Sequence, residues 1–328
     1  MSRRVGWSFV IVIALLVAVV LYSATTGSLK VSSLELIQGL FSGTNKNVQI
    51  IKDLRLPRII VALFVGAALA VSGVLLQAVM RNPLADAGVI GISSGAGFIS
   101  LLFVTIFPTL FFWLPLFAFI GGAFACFLVY SFSWKSGLSP MRIILVGIAI
   151  NATFTGLGQS FNYRGSYAVA SLNQATTSIF TMKTWNDVQV MILYGSIGLL
   201  LSMLLYSWCN LLSLQDKSAH NLGLNVTRAR LLISIVAVLL AAVATAIGGL
   251  IAFVGLLIPH VARLLIGSDH KVLIPFSALA GALLILGADT LGRTLLAPTE
   301  IPASIIMTVI GGPFLVFLIR KSERVHGN

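Results

Sequence analysis

Arg55 and Arg58 flank Pro57 at the head of a long apolar run. They stand about one helical turn apart and can share a helix face. Two guanidiniums so placed can clamp carboxylates or phosphates. A helix N-terminus disfavours cations by roughly 0.3–1 kcal/mol each, so their placement asks for a reason. Two readings are open: snorkelling to lipid phosphates, or a docking patch for an acidic partner. Further along, Asp289 lies inside an apolar segment, four residues before Arg293. An ionisable group within a membrane helix is a functional candidate, although this spacing also permits a plain pair with Arg293. Gln77 is a polar group near the far end of the first apolar run and should seek a protein partner rather than lipid.

Other chemistry is sparse. The chain has no GxxxxGK[ST] phosphate loop, no HExxH and no GxSxG. Its four histidines are scattered, and His260, after Pro259, reads as a packed or interfacial residue. Cys126 and Cys209 fall in apolar segments and read as small packing residues, with neither a disulfide nor a metal site expected. No cofactor and no catalytic reaction are expected of this chain. A proton- or sodium-driven carrier usually carries more buried charge than this.

The elements that position these groups follow from composition. Of 328 residues, 58% are apolar and 9% charged, against about 25% charged in a soluble domain. Mean hydropathy is +1.03. Apolar residues come in long runs, which predicts an all-α polytopic membrane protein. A β-barrel would show short alternating segments. No stretch is long and polar enough for a soluble domain, so one membrane domain over residues 1–328 is expected. The net charge of +12 is spread over many short loops, which suits lipid headgroups and topology better than nucleic acid.

About ten transmembrane helices are predicted. The first follows Arg3 and Arg4 and reads as a retained helix over Val5 to Tyr22, its apolar run being longer than a usual signal core. The second runs inward from Pro57 to Met80, where Pro57 suits a first helical turn. Ala62, Gly66 and Ala70 repeat every four residues and make one face smooth enough for close helix packing. The turn RNPLAD is placed inside. Further spans are expected over Val89 to Phe107, up to Phe132, Ile143 to Leu157, Val190 to Cys209, Leu231 to Ile247, from the turn at Gly248-Gly249 through Phe253, Gly255 and Pro259 to Leu265, up to Leu291, and a last one ending at Arg320 and Lys321. Both termini fall in the cytoplasm. Lys and Arg are then more frequent inside than outside, and all five tryptophans fall at helix ends, as interfacial anchors should. GAALAVSG in the second helix and SALAGALLILGAD in the ninth share a small-residue character, suggestive of an internal repeat.

One ordered set of motifs spans nearly the whole chain. It comprises Arg55-Leu56-Pro57-Arg58, Gly66-Ala67-Ala68-Leu69-Ala70, Ser72-Gly73, Gln77 and Arg81-Asn82-Pro83-Leu84-Ala85. Later pieces are Phe253-Val254-Gly255-Leu256, Pro259-His260, Arg263, Gly267, Asp269-His270-Lys271, Ala288-Asp289, Arg293, Glu300-Ile301-Pro302 and Gly311-Gly312-Pro313. Together they resemble the FecCD-type permeases, membrane subunits of ABC importers for iron–siderophores, haem and cobalamin. The chain departs from the pattern at Asp86-Ala87, where a proline is often seen, and at Ala303, where a glycine is common.

The resemblance implies a type II ABC importer permease in a bacterial cytoplasmic membrane. It would move a ferric siderophore or related metal chelate. Its partners would be two ATPase subunits, a second permease subunit (identical or homologous) and an extracytoplasmic substrate-binding protein. Arg55, Arg58 and Arg293 would form the docking patch for that binding protein. Residues 215–230, QDKSAHNLGLNVTRAR, would be the cytoplasmic coupling segment, with Leu222, Gly223 and Leu224 as the ATPase-facing knob. By composition alone that segment is an ordinary solvated loop. Gly66, Ala70 and Gln77 are the helix-packing or pathway candidates. The alternative function is a secondary carrier of a metal chelate or hydrophobic solute.

Overall fold

The computed structural model describes residues 3–26, 51–107, 109–133, 140–162, 180–297 and 299–326. Regular structure among these residues is helical throughout. The helices are α1 (Arg3–Thr25), α2 (Leu56–Met80), α3 (Ile92–Ile106), α4 (Leu114–Ser133), α5 (Pro140–Asn162), α6 (Trp185–Leu204), α7 (Tyr206–Leu212), α8 (Asp216–Asn221), α9 (Val226–Gly248), α10 (Val254–Ile266), α11 (His270–Leu295) and α12 (Ala303–His326). A π-helical turn, Ile51–Arg55, leads into α2.

α2 is the hub. The span containing it is 83% buried, whereas that of α1 is 6% buried. Its neighbours are α9, α10, α11 and α6. Small residues make this possible. A Cβ on Gly66 would overlap the backbone of Gly281 in α11, and one on Gly73 would overlap Gly255 in α10. The Val65 side chain in turn fills the space over Gly248 of α9. In lipid, association is driven by packing and close backbone approach, and these contacts supply both. Ala70 faces the same Gly281 contact. α1 lies outside this core against α11, with the Phe9 and Phe276 rings edge-to-face at 5.2 Å.

Among the described residues, seven helices are long and apolar enough to cross a membrane, and three further apolar stretches are shorter: Ile92–Ile106, Val254–Ile266 and Ala303–Val316. α3 has 15 residues and α10 has 13, or about 22 and 20 Å, against a hydrocarbon core of about 30 Å. Non-helical chain makes up the difference. Residues 81–91 precede α3 and residues 249–253 precede α10. The two approaches meet beside α2: Gly88 packs on Ala252, and Asp86 lies against Gly255. Irregular backbone is tolerated at such depth only when buried and satisfied by protein. Buried Asp86 does this, accepting from the backbone N–H groups of Gly88 and Phe253. Gly91 (φ 88°) and Phe253 (φ 71°) sit at the two N-caps in the left-handed region.

Several boundaries differ from the sequence expectation. α3 starts at Ile92 rather than Val89, because the chain is still turning at Gly91. α6 starts at Trp185, where Thr184 and Asp187 form a capping box, and breaks at Leu205 before the separate α7. α9 begins at Val226, capped by the Asn225 side chain accepting from the Arg228 N–H. The last part of the polar segment 215–230 is therefore helix. Of the tryptophans, Trp134 lies outside the described residues, as does most of the expected outer loop between Thr25 and Leu54.

Gly73→Ala should lower the melting temperature in detergent, since overpacking a close contact costs about 1–3 kcal/mol. Gly287→Ala, where an added Cβ meets nothing within 4 Å, should be neutral or stabilising. Equal melting of the two variants would show that the α2–α10 contact does not hold the core.

Candidate functional site

Arg58 projects from the first turn of α2 into a buried polar cluster. Its Nε donates to Asp289 Oδ2 at 2.8 Å and its Nη2 to Oδ1 at 2.7 Å. Its Nη1 donates to both Glu300 oxygens at 3.1 and 3.0 Å, and to Thr181 Oγ1 at 3.3 Å. Thr181 Oγ1 donates to Glu300 Oε2 at 2.5 Å. One guanidinium thus joins α2, α11, the turn before α6 and the turn before α12. The fork-on-carboxylate geometry is the strong, specific form of such a pair. It also offsets the unfavourable dipole at the head of α2.

The other two arginines bind α1. Arg55 Nη1 donates to Ala24 O at 2.9 Å, and Arg293 Nη2 to Ser23 O at 2.7 Å. These carbonyls close the C-terminal end of α1, where the dipole favours cations. Asp289 therefore pairs with Arg58 across helices, and not as a simple pair with Arg293 one turn on. All three arginines line one funnel of about 860 Å³, with Tyr22, Leu54 and Glu300. Among the described residues, three guanidiniums and two carboxylates leave a surplus of one positive charge there. Burial opposes ionisation of Glu300, but the Thr181 hydrogen bond and the Arg58 charge outweigh it and hold this carboxyl below its ordinary 4.5.

At the other end of α2, Gln77 Nε2 donates to Gly255 O at 3.0 Å and its Oε1 accepts from Arg263 Nη1 at 2.5 Å. Gln77 is thus bonded to α10 and turned away from lipid. Arg81, the left-handed C-cap of α2, donates from Nε to Leu212 O at 2.6 Å and also bonds Leu214 O. It pairs with Asp216 at 2.6 Å, and Arg230 reaches the same carboxylate at 3.0 Å. The 215–230 segment is consequently tied to α2 and to α9. Asn210 adds a tie to α11, donating to Asp269 at 2.8 Å and accepting from the His270 N–H at 2.9 Å. That Asn210 bond, together with the Lys271 N–H, keeps the Asp269 carboxyl below its ordinary value. Within the knob, Leu222 is 64% exposed while Leu224 is 7% exposed. Gly223 turns the chain between them at φ 84°, a conformation that strains other residues.

The structure brings Arg55, Arg58 and Arg293 together, and keeps Gly66, Ala70 and Gln77 on the packing face of α2. Thr181 and Asp86 went unread as site residues. A lone threonine in a polar stretch carries no signal. Asp86 was visible only as a departure from the RNPLA pattern. Among the described residues, no three His, Cys, Asp or Glu side chains are grouped to hold a metal ion.

An all-helical membrane core with half-length helices, a charged funnel and a polar segment at its opposite end defines a polytopic transport permease. The chain belongs to the FecCD transport family, which it matches over residues 15–321. It is 42% identical over 316 residues to the "Probable heme-iron transport system permease protein IsdF" of Staphylococcus aureus (strain MSSA476), covering 96% of each chain. A solved structure described as a metal-chelate type ABC transporter in an inward-facing conformation superposes with a TM-score of 0.80 at 31% identity, covering 97% of this chain and 99% of that one. PsaBC from Streptococcus pneumoniae, solved with a Fab, shares the fold at a TM-score of 0.62 and 17% identity, over 87% of this chain and 95% of its own. The chain is a transport component and not an enzyme, as are the permeases it resembles.

Arg58→Gln strands the buried Asp289 carboxylate and should cost about 3–5 kcal/mol, read as a lowered melting temperature. Arg58→Gln/Asp289→Asn should recover much of that loss, since both charges are then gone. Purely additive losses would mean that the pair is not coupled. Glu300 has a depressed pKa, so its contribution is complete above pH 4.5 and is lost as pH falls through the lower folded value. Glu300→Gln should therefore lower the melting temperature at pH 7 and lose that difference in acid.

Proposed function

We propose that this chain is the permease subunit of an ATP-driven ABC importer for an iron chelate. The observation that carries this is the 42% identity to a named haem-iron permease over 96% of both chains. That relative favours haem as the cargo. The motif set suggested a ferric siderophore, which is the second reading. In this proposal two permease subunits, alike or homologous, enclose the pathway in a bacterial cell membrane. Separate ATPase subunits dock on the inside, and a substrate-binding protein delivers cargo outside. Counting α3 and α10 with their non-helical approaches, and α12, the chain crosses the membrane about ten times, with both termini in the cytoplasm.

The funnel of Arg55, Arg58 and Arg293 then faces outward and receives acidic side chains of the binding protein. Arg58 is committed to Asp289 and Glu300, so charge reversal at Arg55 and Arg293 probes docking with less damage to that buried cluster. Such pairs steer and orient partners. At the inner face, Leu222 is the exposed contact for the ATPase, Gly223 shapes the turn, and Leu224 anchors the knob from below. Gly66, Ala70 and Gln77 keep α2 against α10 and α11 as the rigid wall beside the pathway.

Four measurements test this reading. In proteoliposomes with the full complex, uptake should need ATP and survive collapse of the proton gradient. Uptake that collapses with the gradient and ignores ATP would make the chain a secondary carrier. A panel of haem and ferric siderophores decides the cargo. Third, Arg55→Glu/Arg293→Glu should weaken binding-protein association about tenfold at low ionic strength, with a smaller loss at high salt. Unchanged association at low salt would remove the docking role. Leu222→Asp should reduce ATPase copurification without changing the melting temperature, whereas Leu224→Asp should lower it.

A further inference from the structure

A groove of about 380 Å³ runs between α4 and α9, away from the funnel and from the α2 core. From α4 it takes Phe119, Ala123, Cys126, Phe127 and Tyr130, a spacing of three and four that puts all five on one face. From α9 it takes Thr227, Arg230, Leu231, Ser234, Ile235 and Val238, again one face. Each wall spans eleven residue steps, about 16 Å. That is close to half of a hydrocarbon core of about 30 Å. The groove opens outward, since Phe127 and Leu231 on its lips are 64% and 60% exposed.

Its polarity is graded along this length. Phe119, Ala123, Ile235 and Val238 line the deep end. Tyr130, Thr227, Arg230 and Ser234 gather at the other end, where α4 finishes and α9 begins. Arg230 Nη2 pairs with Asp216 at 3.0 Å, but that carboxylate also holds Arg81 at 2.6 Å. Asp216 is the one acid between residues 188 and 268, while Lys217 and Arg228 stand close by in sequence. One carboxylate between two guanidiniums leaves a positive surplus at the groove's mouth. The Nε–H of Arg230 is buried and has no hydrogen-bond acceptor among the described residues, an arrangement that is costly unless something accepts from it.

We propose that this groove is a binding site for one anionic phospholipid, with an acyl chain along α4 and α9 and the phosphate on Arg230. The occupant matches the site in length, in its apolar-to-polar gradient and in charge. A neutral lipid matches only the first two. A second copy of the chain would bring the same positive surplus and so be repelled at the mouth. Basic pockets between transmembrane helices recognise lipid headgroups in this way. The proposal stands apart from the identity of the cargo and needs only that the chain lies in a bilayer.

Native mass spectrometry of the full chain in detergent, titrated with phosphatidylglycerol or phosphatidylcholine, tests it. Phosphatidylglycerol adducts should exceed phosphatidylcholine adducts about fivefold or more at equal concentration. Arg230→Gln should abolish the preference, and Ala123→Trp should block the groove and remove the adduct. Arg3→Gln, on α1 and away from the groove, should leave both unchanged. Equal adducts of the two lipids, or a preference indifferent to Arg230→Gln and Ala123→Trp, would overturn the proposal. So would loss of chain dimers in Ala123→Trp, which would make the groove an interface between copies. Competition by inorganic phosphate that removes the whole preference would reduce the site to a phosphate contact and also overturn it. If Arg230→Gln fails to fold, the comparison rests on Ala123→Trp and on Arg230→Lys, which should keep the charge preference.

Discussion

The close approach of α2 to its neighbours is the constraint on which the rest of this structure depends. A hydrophobic effect between helices is absent in lipid, so van der Waals contact must do the holding. Gly66 against Gly281 and Gly73 against Gly255 allow backbone-to-backbone contact that no larger residue permits. α2 thereby becomes a rigid rod through the middle of the protein. Its two ends carry the two polar clasps, Arg58 on Asp289 and Glu300, and Arg81 on Asp216 and the carbonyls of Leu212 and Leu214. In the proposed importer these ends meet the binding protein and the ATPase, so one well-packed element connects both partners.

The charges obey the same economy. A guanidinium below the protein surface and away from the headgroups needs partners that belong to the protein, because the hydrocarbon core offers none. Arg58 finds two carboxylates and a hydroxyl, contributed by distant parts of the chain. Arg55 and Arg293 find the carbonyls at the end of α1, which draws an otherwise peripheral helix onto the rim. The funnel is therefore a set of helix-to-helix ties with a small positive excess, rather than a bare cationic surface. Such an arrangement keeps charge in place for a partner while its residues hold the fold together.

The half-helices show a different solution to the same problem. α3 and α10 begin partway through the protein, with their non-helical approaches pressed together beside Gly73 of α2. Asp86 accepts the backbone N–H groups that this geometry exposes. Breaking a helix at such depth opens space and leaves polar backbone near the centre, a plan that transporters use where a solute must pass. In the proposed lipid site, the groove between α4 and α9 faces lipid instead, and its graded polarity matches the bilayer's own gradient.

Some of this was legible in the chain itself. Long apolar runs with little charge admit helices and nothing else in a bilayer, so the all-α membrane class needed no structure. The small-residue repeat Ala62, Gly66, Ala70 marked the packing face of α2, because close backbone approach is a local steric property. RNPLAD and the Arg55–Pro57–Arg58 head were visible as turn and helix start for similarly local reasons. Tertiary structure alone decided what the polar groups do. Asp289 lies one turn from Arg293, yet pairs with Arg58, which is 231 positions away. Leu222 and Leu224 look alike in sequence, yet one is exposed and the other packed. By hydropathy the spans of α3 and α10 begin earlier, because Val89, Ile90, Leu250 and Ile251 are apolar and hydropathy does not register where the backbone leaves the helix. A carboxylate's partner and a leucine's exposure depend on which helices meet, and periodicity along one helix carries no information about that.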